Sequence, residues 1–274
     1  MRFALAAFAD EADHSIARQI IALRENGISY LEIRGVDGEN VSNITLAKAK
    51  EVRAELDANG IAVWSLASPY GKIKISDDFA PHLDEFKRGL ELAHIFGAKH
   101  LRLFSFYVPH TGADTYINEV MERLDSFRTA AKGSGIMLCH ENEKGIYGDI
   151  AFRCAHIHRT FPDIKAVFDP ANFVQCGQDT CAAWEALCGY VEYMHIKDAL
   201  ADGTVVPAGK GVGNIPYLLE RYRGEVLTLE PHLSVFKGLE NLEADERSRI
   251  GNDRYASKRA AFDAAAVALK EIMK

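Results

Sequence analysis

The sequence predicts a single (β/α)₈ domain over residues 1–274, a closed barrel of eight parallel strands, each followed by a helix. Three observations carry this. Eight short runs of strand-forming residues recur roughly every 30 residues. They alternate with segments whose apolar residues repeat at helical spacing, and glycines stand at the joins. A parallel strand needs a crossover of about a dozen residues or more to return beside its predecessor, and these intervals supply it. The competing arrangement, a doubly wound open sheet, usually carries a glycine-rich phosphate turn after its first strand. FADEADHS (8–15) contains no glycine.

In order, the strands are expected at 3–8, 29–34, 61–67 and 99–104, then at 136–141, 164–169, 191–196 and 225–230. Between the first three, Ile16, Ile20 and Leu23 share one helical face, as do Leu46, Ala49, Val52 and Leu56. Further helices are expected at 81–96, 114–132, 149–159, 180–188, 214–222 and 257–272. In ENGISY, ANGIAV, FGAKHL, GSGIML and YRGEVL, glycine stands where a helix ends in a left-handed cap and the chain turns into a strand. An extended, charged loop follows the last strand at 232–255, serving either as a lid or contact loop or as a solvated insertion.

The bulk composition narrows the function. The net charge is −7 with no basic block, which argues against sequence-independent binding to nucleic acid. The apolar run in MRFALAAFADEAD stops within about seven residues at Asp10, Glu11 and Asp13, too short for a signal peptide. No stretch approaches the roughly 20 apolar residues that span a bilayer. The five cysteines form no CxxC pair and read as reduced thiols. A cytoplasmic protein is expected, without nucleic-acid or membrane partners; a homodimer or homotetramer stays open.

The second half of the chain repeats one grammar. The segments 136–143 (IMLCHENE), 164–172 (IKAVFDPAN), 191–198 (VEYMHIKD) and 225–232 (EVLTLEPH) each run as a strand and then deliver one metal-capable side chain. These are Glu141, Asp169, His195 and Glu230, separated by 28, 26 and 35 residues. In a closed parallel barrel the functional residues gather at the C-terminal strand ends. Four neighbouring strands can therefore bring these side chains to one ion. Three carboxylates and one imidazole suit Mn²⁺, Mg²⁺ or Co²⁺, with Zn²⁺ a further option.

HENEKG, FDPAN, HIKD, PAGKGVGN (207–214) and LEPH together resemble the xylose isomerase-like TIM barrels, in particular the sugar phosphate isomerase/epimerase family. The resemblance covers nearly the whole chain. It implies that Glu141, Asp169, His195 and Glu230 bind one divalent metal, with Glu141 and Glu230 also the catalytic acid/base pair. The implied substrate is a small sugar, sugar phosphate or sugar acid. The implied reaction is isomerisation or epimerisation through a metal-stabilised cis-enediolate.

Other residues are substrate-contact candidates. Lys197 and His232 lie two positions beyond His195 and Glu230 and so share their faces. Lys197 could hold a substrate oxygen or bridge to a neighbouring acid. Asn172 stands where many relatives carry a histidine; an amide can hydrogen-bond there but cannot transfer protons at neutral pH. Lys210, with the N–H groups of Gly209, Gly211 and Gly213, could cradle a phosphate or belong to a plain tight turn. Trp64 and Tyr70 fit either an aromatic wall or the core. Glu32 and Arg102 read as buried charge pairing, and His140 as structural.

Three other functions compete. A dehydratase of the inosose or dehydroshikimate type would use the same metal set. An endonuclease IV-like enzyme would need further histidines, and these are missing at Asn172 and in ADGTVVPA (201–208). A non-catalytic sugar-binding protein would not need an intact metal set.

Overall fold

The computed structural model describes residues 3–234 and 255–274. Its eight barrel strands are β1 (Ala4–Ala7), β2 (Tyr30–Ile33), β3 (Ala62–Ala67), β4 (His100–Leu103), β5 (Met137–Glu141), β6 (Lys165–Phe168), β7 (Val191–Ile196) and β8 (Val226–Leu229). They pair in sequence order, all parallel, and β8 closes on β1. The helices are α1 (Ile16–Glu25), α2 (Leu46–Ala58), α3 (Phe79–Phe96), α4 (Ile117–Ala131), α5 (Ala151–Thr160), α6 (Pro170–Gln175), α7 (Thr180–Leu187), α8 (Ile215–Arg221) and α9 (Lys258–Ile272). The fold is the (β/α)₈ barrel. The expectation for the loop at 232–255 falls, between 235 and 254, outside the described residues.

Helix ends follow local chemistry. Thr45, Asp78 and Ser257 each accept a backbone N–H at the start of α2, α3 and α9. Gly27, Gly60, Gly97 and Gly135 take positive φ at the turns into β2, β3, β4 and β5. Gly224, before β8, does not. A Cβ there would lie 2.1 Å from the Tyr222 hydroxyl oxygen, so this glycine serves close approach rather than a left-handed cap. The structure adds α6 and two short hairpins, 35–40 and 198–206, that strand and helix periodicity did not reveal.

The apolar core has two parts. The larger lies between strands and helices and includes Leu31, Leu66, Phe86, Leu101, Phe127 and Leu227. Each such side chain taken from water stabilises the fold by roughly 1.5–3 kcal/mol. The smaller part, Cys139, Val167 and Tyr193 with Trp64 and Met137 against them, fills the barrel itself. The pairing of β2 with β3 skips a residue between Val63 and Ser65, and the pairing of β6 with β7 skips Glu192. These irregularities bring Trp64 and Glu192 together around His100, whose ring nitrogens lie 3.1 Å from the Trp64 carbonyl oxygen and 3.1 Å from Glu192 Oε1. Trp64 lines a cavity of about 670 Å³ with Glu192 and Glu225, at the N-terminal ends of the strands. It forms no wall at the opposite, C-terminal ends of the strands, and Tyr70 is buried against Phe86.

On the helix side of the barrel, His158 donates from Nδ1 to the Ile164 carbonyl at 2.9 Å and stacks on Tyr190. Burial lowers its pKa from 6.5 to about 4. Neutral imidazole is therefore the folded form, whereas the unfolded chain takes up a proton below about pH 6.5. The stabilisation is complete above that pH and is lost as pH falls through about 4. The expected size is ~3 kcal/mol. Urea unfolding of wild type and His158→Asn should show their stability difference shrinking by about this amount between pH 7 and 4. Parallel pH profiles would contradict the assignment.

Candidate metal centre

The C-terminal strand ends place Glu141 as the last residue of β5, His195 within β7, and Asp169 and Glu230 one residue past β6 and β8. All four are buried, and one ligand atom from each lies within 4.8 Å of the others. Asp169 is placed by its local sequence. Pro170 starts α6, and the Asp169 side chain caps it by accepting the Asn172 N–H through Oδ1 at 2.9 Å. Its Oδ2 is thus left for the cluster. Asn142 fixes the Asp169 backbone from the other side, accepting its N–H at 2.8 Å and donating to its carbonyl at 2.9 Å.

His195 is aimed by three glutamates. Nε2 lies 3.2 Å from Glu32 Oε2, while Nδ1 faces Glu141 Oε1 at 2.9 Å and Glu230 Oε2 at 3.3 Å. Tyr193 donates to Glu32 Oε1 at 2.8 Å and holds that carboxylate in place. A Glu32 acceptor on Nε2–H leaves the Nδ1 lone pair for an ion, a common outer arrangement at metal-bound histidines. Phe8 packs edge-on against the imidazole ring.

The donor set fits a divalent ion. It is three carboxylates and an imidazole, and Glu141 Oε2 and Asp169 Oδ2 are buried oxygens without a well-directed hydrogen bond. Arg102 Nη1 and Lys197 Nζ lie near them at 3.1 and 2.9 Å. Burial raises the Asp169 pKa to about 7, with Glu230 and Glu141 adding repulsion and Lys197 opposing. For Glu230 burial acts upward, but Lys197, His232 and His195 outweigh it and keep the carboxyl well below its ordinary range. Burial likewise opposes charge on His195, yet the attraction of Glu141, Glu32 and Glu230 holds its pKa well above the ordinary value.

The substrate candidates separate. Lys197 is buried and bridges Asp169 and Glu230. Asn172 donates from Nδ2 to the Asn142 carbonyl at 2.9 Å and to Glu141 Oε1 at 3.4 Å. His232, with φ of 45°, places Nε2 3.5 Å from Glu230 Oε1 and 3.4 Å from Glu11 Oε1.

Lys210 is a correction. It is exposed, and the glycine turn around it does not present its donors to a ligand. The N–H groups of Gly209, Gly211 and Gly213 all donate to the Asp198 carboxylate, at 2.9, 3.0 and 2.9 Å. The anion in this nest belongs to the chain. Cβ atoms at Gly211 and Gly213 would lie 2.4 and 2.6 Å from Asp198 Oδ1. Asp198→Ala should therefore cost at least ~3 kcal/mol, since hydrogen bonds to charged groups contribute about 1.5–3 kcal/mol each. The check is thermal unfolding with limited proteolysis over 199–214; an unchanged melting temperature would contradict it.

Periodicity missed Glu11, Arg34 and Asn142. Glu11 follows the first strand as the acids follow the later ones, and Arg34 lies two positions after Glu32, so the same grammar extended to the first half would have reached both. Arg34 donates to Asp10, Glu11 and Glu230, binding the first strand end to the last. Burial pushes the Glu11 carboxyl up to about 8 against the pull of Arg34.

This fold and site define a class. The sequence profile of the Xylose isomerase-like TIM barrel family matches residues 20–231, and the chain belongs to that family. Solved structures share the fold. The IolI protein with a bound zinc atom is 13% identical over 98% of each chain, with a TM-score of 0.74. A D-psicose 3-epimerase from Clostridium cellulolyticum is 14% identical over 99% of this chain and 98% of its own, at 0.73. The probable 3-DHS dehydratase AsbF from Bacillus anthracis is 15% identical over 98% of each chain, at 0.71. At these identities the likeness is one of fold. No curated protein sequence matches the chain. No helix of the described residues is long and apolar enough to cross a membrane.

Proposed function

We propose that this chain is a divalent-metal-dependent isomerase or epimerase of a sugar or sugar derivative. The observation that carries this is the buried convergence of Glu141, Asp169, His195 and Glu230. These residues would hold one ion, with Mn²⁺, Mg²⁺ or Co²⁺ favoured by the oxygen-rich set. Bound there, a divalent ion supplies Lewis-acid polarisation of a carbonyl and its neighbouring hydroxyl.

The chain's own groups move the proton. Glu230 is held ionised by Lys197, His232 and His195 and is assigned to remove the proton next to the carbonyl. Glu141 lies across the cluster and is assigned to return it. Return to the same carbon is epimerisation; return to its neighbour is isomerisation. Asn172, Lys197 and His232 are the polar groups assigned to substrate oxygens, while burial of the cluster excludes water and strengthens each interaction. Lys210 is not retained in this role.

One comparison, a D-psicose 3-epimerase, supports a sugar substrate, and another, a probable 3-DHS dehydratase, leaves room for a second chemistry. The test incubates manganese-loaded protein with a panel of ketoses, aldoses and sugar acids in deuterated water. Deuterium at the carbon next to the carbonyl with an isomeric product supports the proposal. Loss of water with a new conjugated chromophore would assign the dehydratase chemistry instead. No exchange with any member would remove the support for proton transfer.

A further inference from the structure

We propose that Lys197 is a built-in competitor of the metal: its ammonium holds carboxylate oxygens that a divalent ion would use, so ion loading and release of the lysine head group are one coupled event. This rests on the metal reading above and adds an order to it.

The argument lies in how each oxygen is spent. Asp169 has one oxygen engaged by the helix cap, and Lys197 Nζ stands 2.9 Å from the other. Glu230 has Oε1 facing Arg34 Nη1 at 3.4 Å, while Oε2 faces Lys197 Nζ at 3.2 Å and His195 Nδ1 at 3.3 Å. Lys197 therefore sits on two of the four ligands, and on Asp169 it takes the single oxygen outside the cap. An ammonium and a dication on that oxygen would be like charges a few ångströms apart in a site closed to water, where screening is weak. The lysine is the member able to give way, because its head group rides on a flexible four-carbon stem. Arg102 and Arg34 are less free. Arg102 also donates to the Ser68 carbonyl, and Arg34 is forked onto Asp10 and Glu11. Glu143, paired with Lys72 at 3.1 Å and held ionised by Lys72, Lys144 and then Lys197, offers a nearby acidic alternative.

The swap has a functional consequence. Before loading, Lys197 compensates the Asp169 and Glu230 charges. After loading, its ammonium is available to a hydroxyl or anionic oxygen of the substrate. Substrate recognition through this lysine then follows the ion, not the reverse.

The test compares wild type with Lys197→Met and Lys197→Arg by calorimetric titration with Mn²⁺ and by thermal unfolding with and without Mn²⁺. Lys197→Met should bind Mn²⁺ about tenfold more tightly, within the usual span of coupling between sites. Its metal-free melting temperature should fall, and its rise on Mn²⁺ saturation should exceed that of wild type. Lys197→Arg keeps the charge and should gain no affinity. If Lys197→Met does not fold, a crystal structure of Mn²⁺-loaded wild type decides, and Nζ should have left Asp169 Oδ2. Unchanged or weaker Mn²⁺ binding in Lys197→Met, or Nζ still against Asp169 with the ion bound, overturns the proposal alone. Absence of Mn²⁺ uptake by wild type overturns both it and the metal reading.

Discussion

Glu230→Gln should lower turnover by roughly a thousandfold at saturating metal, within the range attributed to a positioned acid or base. The amide keeps the volume of the side chain and can still accept a hydrogen bond, but it cannot take a proton. The fold should survive. Before metal loading Lys197 keeps Asp169 at 2.9 Å, and Arg34 keeps Asp10 and Glu11 at 2.9 and 3.1 Å throughout. Metal binding should weaken because one of three ligand carboxylates loses its charge, so the assay must be run across a metal titration. Turnover that recovers fully at high metal would leave Glu230 a ligand only and move the proton transfer elsewhere.

Glu32→Gln should weaken Mn²⁺ binding by roughly 10- to 100-fold, although Glu32 is not one of the four cluster ligands. Its carboxylate is fully buried and can only accept, from His195 Nε2 on one oxygen and from Tyr193 on the other. With an ion on Nδ1, that arrangement would keep the imidazole proton on Nε2. A glutamine can turn its NH₂ toward Nε2, which would return the proton to Nδ1, the atom that faces Glu141 and Glu230. Nitrogen NMR of labelled histidine separates this from general damage. A mixed tautomer at His195 with an unchanged melting temperature is expected, whereas a pure Nε2–H tautomer with normal affinity would count against Glu32 as a positioning residue.

Much of this architecture was legible in the chain. Each observed barrel strand falls inside its expected segment, because apolar runs of strand length are bounded by helix caps and glycine turns. The four candidate ligands could be read because a residue at a strand end occupies an equivalent place on each βα unit. What escaped reading depends on long-range partners. Asn142 matters through the backbone of Asp169, and Arg34 through acids contributed by two other strand ends. The turn at 207–214 looks like a phosphate cradle in sequence because glycines expose N–H groups, but nothing local shows that Asp198 already fills it. Trp64 was ambiguous because the skip in pairing between β2 and β3 breaks the strict two-residue alternation by which faces are assigned.

The most direct test of the central claim is metal stoichiometry by elemental analysis, on protein stripped with a chelator and reloaded, for wild type and His195→Ala. The account predicts about one Mn, Mg, Co or Zn ion per chain in wild type, since the four candidate ligands share one position and the other candidate group, Glu11, Glu230 and His232, shares Glu230 with them, and clear loss of that ion in the variant. No ion taken up by wild type, or about one ion retained equally by both proteins, would contradict it.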